Sequence, residues 1–338
     1  MQFENKIMDF AAEKRFFTTK DVAEKLGISR QYAHLVIKKL VQQQKLVKFG
    51  STRGAHYGHP VYIHQAANKV KRRLLNKDLE EHKVLDELEK NSWSLKLARE
   101  NLRSVYHYAF SEMLNNAIEH SKSKYVEVDI SNNEGELIFH VDDFGIGVFR
   151  NVMRKRKLDS ELEAIQDLLK GKTTTQPKSH SGEGIFFTSK VADIFILESY
   201  DYRLRVDNRV QDYFIEEMHP KKRGTRVTFI LSMRSKRHLS EVFEKYQTDP
   251  KELTFDKTEI QVRLYTTGTI HISRSQARRV MAGLEKFNMI TLDFDRVPTV
   301  GQAFVDEIFR VFKNKHPHIK IIPVNMNKTV KFMVERVR

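Results

Sequence analysis

The sequence predicts a multidomain α+β chain, and three observations carry that prediction. Its 338 residues exceed the roughly 100–200 that one domain usually takes, so two or three domains are expected. Positive charge is concentrated at the start: residues 1–75 hold 15 Lys/Arg against 5 Asp/Glu, a net of +10 out of the chain's +15. The hydrophobic period also changes along the chain. Short helical patterns give way to alternating helix and strand around three glycine clusters, then to a second β/α alternation after Gln247-Thr248-Asp249-Pro250-Lys251. The expected divisions are residues 1–62, 63–105, 106–240 and 252–338.

Composition narrows the classes. At 40% hydrophobic and 30% charged residues the balance is that of a globular protein able to bury a core in each domain. There is no cysteine, which excludes disulfides, thiolate metal sites and thiol catalysis. No apolar run approaches the roughly 20 residues that span a bilayer. The opening Met1–Phe17 stretch lacks the uninterrupted apolar core of a secretion signal. A cytoplasmic location without membrane contact is expected.

In residues 1–62, Thr18 or Thr19 can cap a helix through Ala23, because a side-chain oxygen there satisfies free backbone N–H groups. Leu26-Gly27-Ile28-Ser29 is a turn, with Gly27 suited to the left-handed conformation that ends a helix. Ser29 caps a second helix from Arg30 to about Gln42, whose Ala33, Val36, Ile37 and Leu40 recur at helical spacing. Its outer face carries Arg30, Gln31, His34 and Lys38. Short strands at Lys45–Phe49 and Ala55–Tyr57 flank a hairpin tip that carries Arg53. The pattern resembles a winged helix-turn-helix. That resemblance implies DNA binding, with Arg30, Gln31 and His34 at base edges and Lys38, Lys48 and Arg53 at phosphates. A small helical domain for protein contacts fits the same pattern; the concentrated charge favours DNA. Winged-helix proteins often read paired half-sites, so a homodimer is expected.

Residues 63–105, rich in Lys, Glu, Leu and Arg, read as a helical connector. Next comes Phe110–His120, in which Glu112, Asn116 and His120 fall at i, i+4, i+8 on one helix face. A carboxylate and a carboxamide one turn apart suit a phosphate-and-metal site, since an amide oxygen ligates Mg²⁺ and a carboxylate can deprotonate an attacking group. Asn115 points elsewhere and reads as an ordinary polar residue. A strand at Glu136–Val141 runs into Asp142-Asp143-Phe144-Gly145-Ile146-Gly147. Glycines there let the backbone turn tightly and approach a ligand, and the strand-end carboxylate can accept from an exocyclic amine. Residues 150–181 read as a mobile stretch. Ser181-Gly182-Glu183-Gly184-Ile185 then enters a helix, an arrangement that suits phosphates. Last, Arg223-Gly224-Thr225 turns into a strand.

Four motifs in this order resemble the ATP-binding domain shared by gyrase, histidine kinases and anti-sigma serine kinases (the GHKL family), over about residues 80–235. The resemblance implies an α/β sandwich of the Bergerat type that binds ATP and Mg²⁺. It implies Asn116 as Mg²⁺ ligand, Glu112 as general base, Asp143 on the adenine amine with Thr225 nearby, and Gly145 and Gly147 shaping the base pocket. It further implies Gly182 and Gly184 at the phosphates, with residues 148–181 as a lid in which Lys172 and Thr173 reach toward the triphosphate. His120 belongs to the same helix face. Glu183 departs from the family pattern by adding negative charge beside the phosphates.

The tail alternates strands and helices as a small α/β domain. Ile290–Phe304 resembles the sulfate-transporter/anti-sigma-antagonist class in its STAS-like variant, over about residues 255–338, which implies a protein partner. Where regulatory members carry a phosphorylatable serine, this chain reads Gly301-Gln302-Ala303, and Thr299 is out of register. The three parts together suggest a DNA-binding regulator controlled by nucleotide. An anti-sigma-type serine/threonine kinase acting on a separate protein, and the ATPase of a defence or stress system, remain open.

Overall fold

The computed structural model describes residues 2–49, 55–60, 68–172, 183–249, 254–265 and 270–337. Three helices, α1 (Gln2–Glu13), α2 (Thr19–Leu26) and α3 (Arg30–Gln42), lead into short strands β1 (Val47–Phe49) and β2 (His56–Gly58). Then come β3 (Asn68–Leu75), α4 (Glu81–Asn91), α5 (Trp93–Leu97) and α6 (Glu100–His120), followed by β4 (Tyr125–Asn133) and β5 (Glu136–Asp143). Helices α7 (Val148–Arg156), α8 (Glu161–Lys170) and α9 (Gly184–Val191) precede the long strands β6 (Ile194–Asp207) and β7 (Asp212–Ser232). The remainder runs α10 (Leu239–Lys245), β8 (Lys257–Gln261), β9 (Ile270–His271), α11 (Arg274–Met281), β10 (Met289–Asp293), β11 (Thr299–Val300), α12 (Gln302–Asp306), α13 (Lys313–Lys315), β12 (Lys320–Val324) and α14 (Lys328–Glu335). Two compact units result: Met1–Gly147 with Ala192–Arg237, and Val148–Val191 with His238–Arg338.

In the first unit, the N-terminal helices start and stop where their polar residues dictate. Thr18 makes a reciprocal capping box with Asp21, accepting from the Asp21 N–H at 3.2 Å while Asp21 accepts from the Thr18 N–H at 2.6 Å. Gly27, at φ +64°, closes α2 in the left-handed conformation, and Ser29 caps α3 through the Tyr32 N–H. Ile7, Ala11, Phe17, Val22, Ala33, Ile37 and Leu40 form a fully buried core. β1 and β2 pair antiparallel, and Phe17 and Tyr57 exchange backbone hydrogen bonds at 2.9 and 2.7 Å. The ribbon begins two residues later at β1, and its second strand one residue later, than the apolar pattern predicts.

The larger part of this unit is a five-stranded antiparallel sheet, ordered β3-β4-β5-β7-β6. Its strand β3 corrects the expectation that residues 63–105 are wholly helical. The cation-rich segment Lys69-Val70-Lys71-Arg72-Arg73 reads as a helix surface. It is instead an edge strand whose alternate cations meet acids on β4: Lys69 pairs with Asp129 at 2.9 Å and Lys71 with Glu127 at 3.0 Å. Helix α6 covers one face of the sheet. It buries Tyr106, Phe110, Met113 and Leu114 against inward residues of β5 and β7 such as Phe139 and Phe229. Phe139 and Phe229 stack at 4.8 Å, and Tyr106 and Phe110 meet Phe139 edge-on at 5.3 and 5.4 Å. Such pairs add about 0.5–1.5 kcal/mol each beyond the area they bury. That packing fixes the register of the helix carrying Glu112 and Asn116.

The second unit holds a three-stranded parallel sheet, ordered β12-β10-β8, and a short parallel pair, β9 with β11. The helix expected at Ser273–Leu284 is α11, capped by a Ser273–Gln276 box. The helix expected at Val300–Phe312 is a run from α12 through a π-helical turn, Glu307–Phe312, into α13. Within the stretch 150–181, the described residues through Lys170 are largely helical, in α7 and α8. Ser160 caps α8 by accepting from the Glu163 N–H, and Ala164, Ile165, Leu168 and Leu169 are buried. At the end of α8, the Lys170 ammonium donates to the carbonyls of Arg279 and Ala282 at 2.8 Å each, capping α11. Phe187 of α9 stacks on Phe243 at 4.1 Å, and Phe186 on Phe255 at 4.7 Å. Among the described residues no helix is long and apolar enough to cross a membrane.

Candidate nucleotide-binding site

The site builds from the end of β5. Asp143 is buried, and its Oδ1 accepts from the N–H of Gly145 at 2.9 Å and of Thr225 at 3.2 Å. Burial pushes this carboxyl above the ordinary value for an aspartate, while those two N–H groups and the Lys222 ammonium pull it back. Lys222 donates to the Asp143 carbonyl at 3.1 Å and pairs with Asp142 at 3.2 Å; Arg226 grips both Asp142 oxygens at 3.0 and 2.8 Å.

The glycines here are required by contact. A Cβ on Gly145 would lie 1.8 Å from the Ser121 carbonyl oxygen, which accepts from the Ile146 N–H at 2.8 Å. A Cβ on Gly224, at φ +76°, would lie 2.2 Å from the Asp143 carbonyl oxygen. Gly147, at φ +81°, lies against Ser199 and Tyr200, and the Tyr200 hydroxyl donates to the Gly145 carbonyl at 2.9 Å. The Asp143–Gly147 loop is thus held from the end of α6, from β6 and from β7.

On α6, Glu112, Asn116 and His120 are each half-buried on successive turns. The Asn116 amide nitrogen is buried with no hydrogen-bond partner among the described residues, and so is the Ser199 hydroxyl. An unpaired buried donor costs about 1–3 kcal/mol, so each such group fits a bound polar ligand. The carboxamide also carries an oxygen of the type a hard cation takes. No group of three His, Cys, Asp or Glu gathers among the described residues, so a cation at Asn116 would draw its other oxygens from phosphates and water. The residues present therefore fit Mg²⁺ carried in with a nucleotide.

Glu112, Asn116, His120, Asp143, Gly145, Gly147 and Thr225 all belong to the first unit. Lys172 and Gly184 belong to the second. There Gly184 opens α9, and the Lys172 ammonium lies over the Phe287 and Phe255 rings at 5.1 and 5.6 Å and donates to the Lys286 carbonyl. Its pKa is lowered by burial. Thr173, Gly182 and Arg53 lie outside the described residues. Arg30, Gln31, His34 and Lys38 are all exposed on α3, and Lys48 on β1. Tyr32 and Leu35, 45% and 63% exposed on the same helix, extend that face with apolar surface that helical periodicity alone did not single out. Sequence reasoning also missed Ser121, Tyr200 and Lys222, which hold the loop; no motif marks them.

Residues 102–235 match the family described as Histidine kinase-, DNA gyrase B-, and HSP90-like ATPase, and the chain carries a domain of that class there. Residues 276–331 match a STAS-like domain of unknown function (DUF4325), so the chain joins an ATPase-type domain to a STAS-like one. No curated protein matches the chain.

Proposed function

We propose that the chain binds ATP with Mg²⁺ at the Asp143 and Asn116 end of the sheet, and that nucleotide occupancy governs how the N-terminal helices hold DNA. The observation that carries the reading is the buried, unpartnered Asn116 amide on the helix that also bears Glu112. The same unit carries a buried carboxylate, Asp143, anchored by two backbone N–H groups and suited to an exocyclic amine. In this reading Asp143 takes the adenine amine, Asn116 holds Mg²⁺, and Glu112 is the base for any hydrolysis or transfer. The STAS-like domain is the part that meets a protein partner.

The N-terminal unit supports the DNA reading through an exposed cationic helix face, Arg30, Gln31, His34 and Lys38, beside a two-stranded ribbon carrying Lys48. The needed coupling between ATP and DNA is modest, about 1–3 kcal/mol. The test is duplex binding by the full chain, measured with and without Mg-ATP. A change in affinity of about five-fold or more supports the reading; equal affinities in both conditions would remove the coupling. Loss of salt-dependent duplex binding in Arg30→Ala, Lys38→Ala would assign the DNA face to α3.

A further inference from the structure

The first unit holds a cavity of about 460 Å³ that uses none of the residues assigned to ATP. Four cations line it: Arg73 on β3, Lys122 and Lys124 between α6 and β4, and Arg223 on β7. Two rings, Tyr125 and Phe144, complete it, and no carboxylate does. Of the four cations only Arg73 has a carboxylate partner among the described residues. That partner, Glu127, is 3.8 Å away and already pairs with Lys71 at 3.0 Å. Lys122 sits at φ +56°, a conformation that L side chains other than Asn and Asp seldom take.

The rings are held in place. The Ser123 hydroxyl accepts from the Phe144 N–H at 3.1 Å and donates to the Tyr125 carbonyl at 2.6 Å, which ties the two ring-bearing residues to one side chain. The Arg73 guanidinium lies 4.7 Å from the Tyr125 ring centre and the Lys124 ammonium 5.4 Å from it. Lys222 lies 4.9 Å over Phe144, which is 37% exposed.

Like charges gathered without acids repel one another, and exposed aromatic surface loses free energy to water. One class of ligand relieves both costs: a planar ring that stacks on Tyr125 or Phe144 and carries phosphate oxygens for the cations. The volume lies within the roughly 300–1,000 Å³ of small-molecule sites. We propose that this cavity is a second site, separate from the Asp143 pocket, for a nucleoside phosphate. The source is either a free nucleotide or one nucleotide of a single strand. Because Phe144 follows Asp143 directly, the two sites share a loop but no lining residue.

The experiment uses the full chain with no nucleotide other than the probe, in a background carrying Arg30→Ala and Lys38→Ala so that α3 does not contribute; thymine has no exocyclic amine for Asp143. Binding of a fluorescent oligothymidylate and of thymidine monophosphate is compared between this background and one that adds Lys124→Glu and Arg223→Glu. The proposal expects the added changes to weaken probe binding by about ten-fold or more and to flatten its salt dependence. The Asp143-dependent component of Mg-ATP binding, measured separately, should stay within about two-fold. Binding of the monophosphate as well as the strand identifies a free-nucleotide site; binding of the strand alone identifies a strand site. Unchanged affinity in the added variant overturns the proposal. So does an equal loss on reversing the exposed Lys236, which lies outside the cavity, because the effect is then net charge alone.

Discussion

The N–H of Thr225 donates to Oδ1 of Asp143 at 3.2 Å, joining two residues 82 positions apart, one at the end of β5 and the other within the adjacent β7. This bond, with the one from Gly145, leaves the carboxylate's orientation no freedom and directs its remaining lone pairs. It also explains why Gly224 precedes Thr225: the backbone approaches Asp143 more closely than any Cβ permits.

Replacing Gly224 by Ala should therefore damage the site from the backbone side. The substitution combines a left-handed φ with a contact to carbonyl backbone that has no flexible end to yield. A loss of about 2–4 kcal/mol in stability is expected, read from chemical denaturation, together with weakened Mg-ATP binding. Gly27→Ala makes the contrast: its φ is also positive, but nothing lies within 4 Å, so the loss should be only about 1 kcal/mol.

Asn116→Ala separates a ligand-binding amide from a structural one. The amide nitrogen makes no protein hydrogen bond, so its removal frees a buried unsatisfied donor and should leave the apo melting temperature nearly unchanged. The rise in melting temperature expected when Mg-ATP is added to the unaltered chain should disappear in the variant. A large drop in apo stability with the nucleotide shift intact would assign Asn116 to the scaffold.

Nucleotide affinity should also depend on pH through Asp143. Burial raises its folded-state pKa, and an exocyclic amine needs the ionised form as acceptor. Affinity should be level near neutral pH and fall as pH drops through a value above the roughly 3.9 of a free aspartate. Calorimetric titrations across that range check this, and Asp143→Asn should flatten the profile.

Lys170 gives a pH signature in the second unit. Burial lowers its ammonium to about 8, below its unfolded value. A base whose folded pKa is depressed binds fewer protons in the folded state between the two values. Stability should therefore rise as pH climbs from about 8 toward the roughly 10.4 of a free lysine, with the cost of the buried charge fully present below that window. Lys170→Met should reduce the rise, and the remainder belongs to Lys286, whose ammonium is likewise lowered by burial to about 8. It should also cost about 1–3 kcal/mol at neutral pH, because the carbonyls of Arg279 and Ala282 lose their donor. Denaturation at a series of pH values reads both effects.

The parts of this molecule legible in the sequence are those governed by local chemistry. Thr18, Gly27 and Ser29 mark helix ends through their own side chains or their lack of one, and the structure places those ends there. Asp143 and its glycines stand out because a strand followed by small residues has few other uses. What stayed hidden depends on partners far along the chain. Lys69 and Lys71 make an edge strand only because Asp129 and Glu127 lie opposite, and nothing within residues 63–105 announces those acids. Ser121, Tyr200 and Lys222 bind the Asp143 loop through one hydrogen bond each to backbone, a task open to many residue types and so without a motif. The packing of α8 against α11 through Lys170 is of the same kind, since a lysine near a helix C-terminus reads as a solvated charge.

The central claim is that Asp143 and Asn116 form an ATP site. Calorimetric titration of the purified chain with ATP in the presence of Mg²⁺ tests it most directly, with Asp143→Asn measured alongside. The account predicts saturable binding whose Asp143-dependent component is weakened by about ten-fold or more in the variant. Absence of binding by the unaltered chain, or equal affinity in the two proteins, would contradict it.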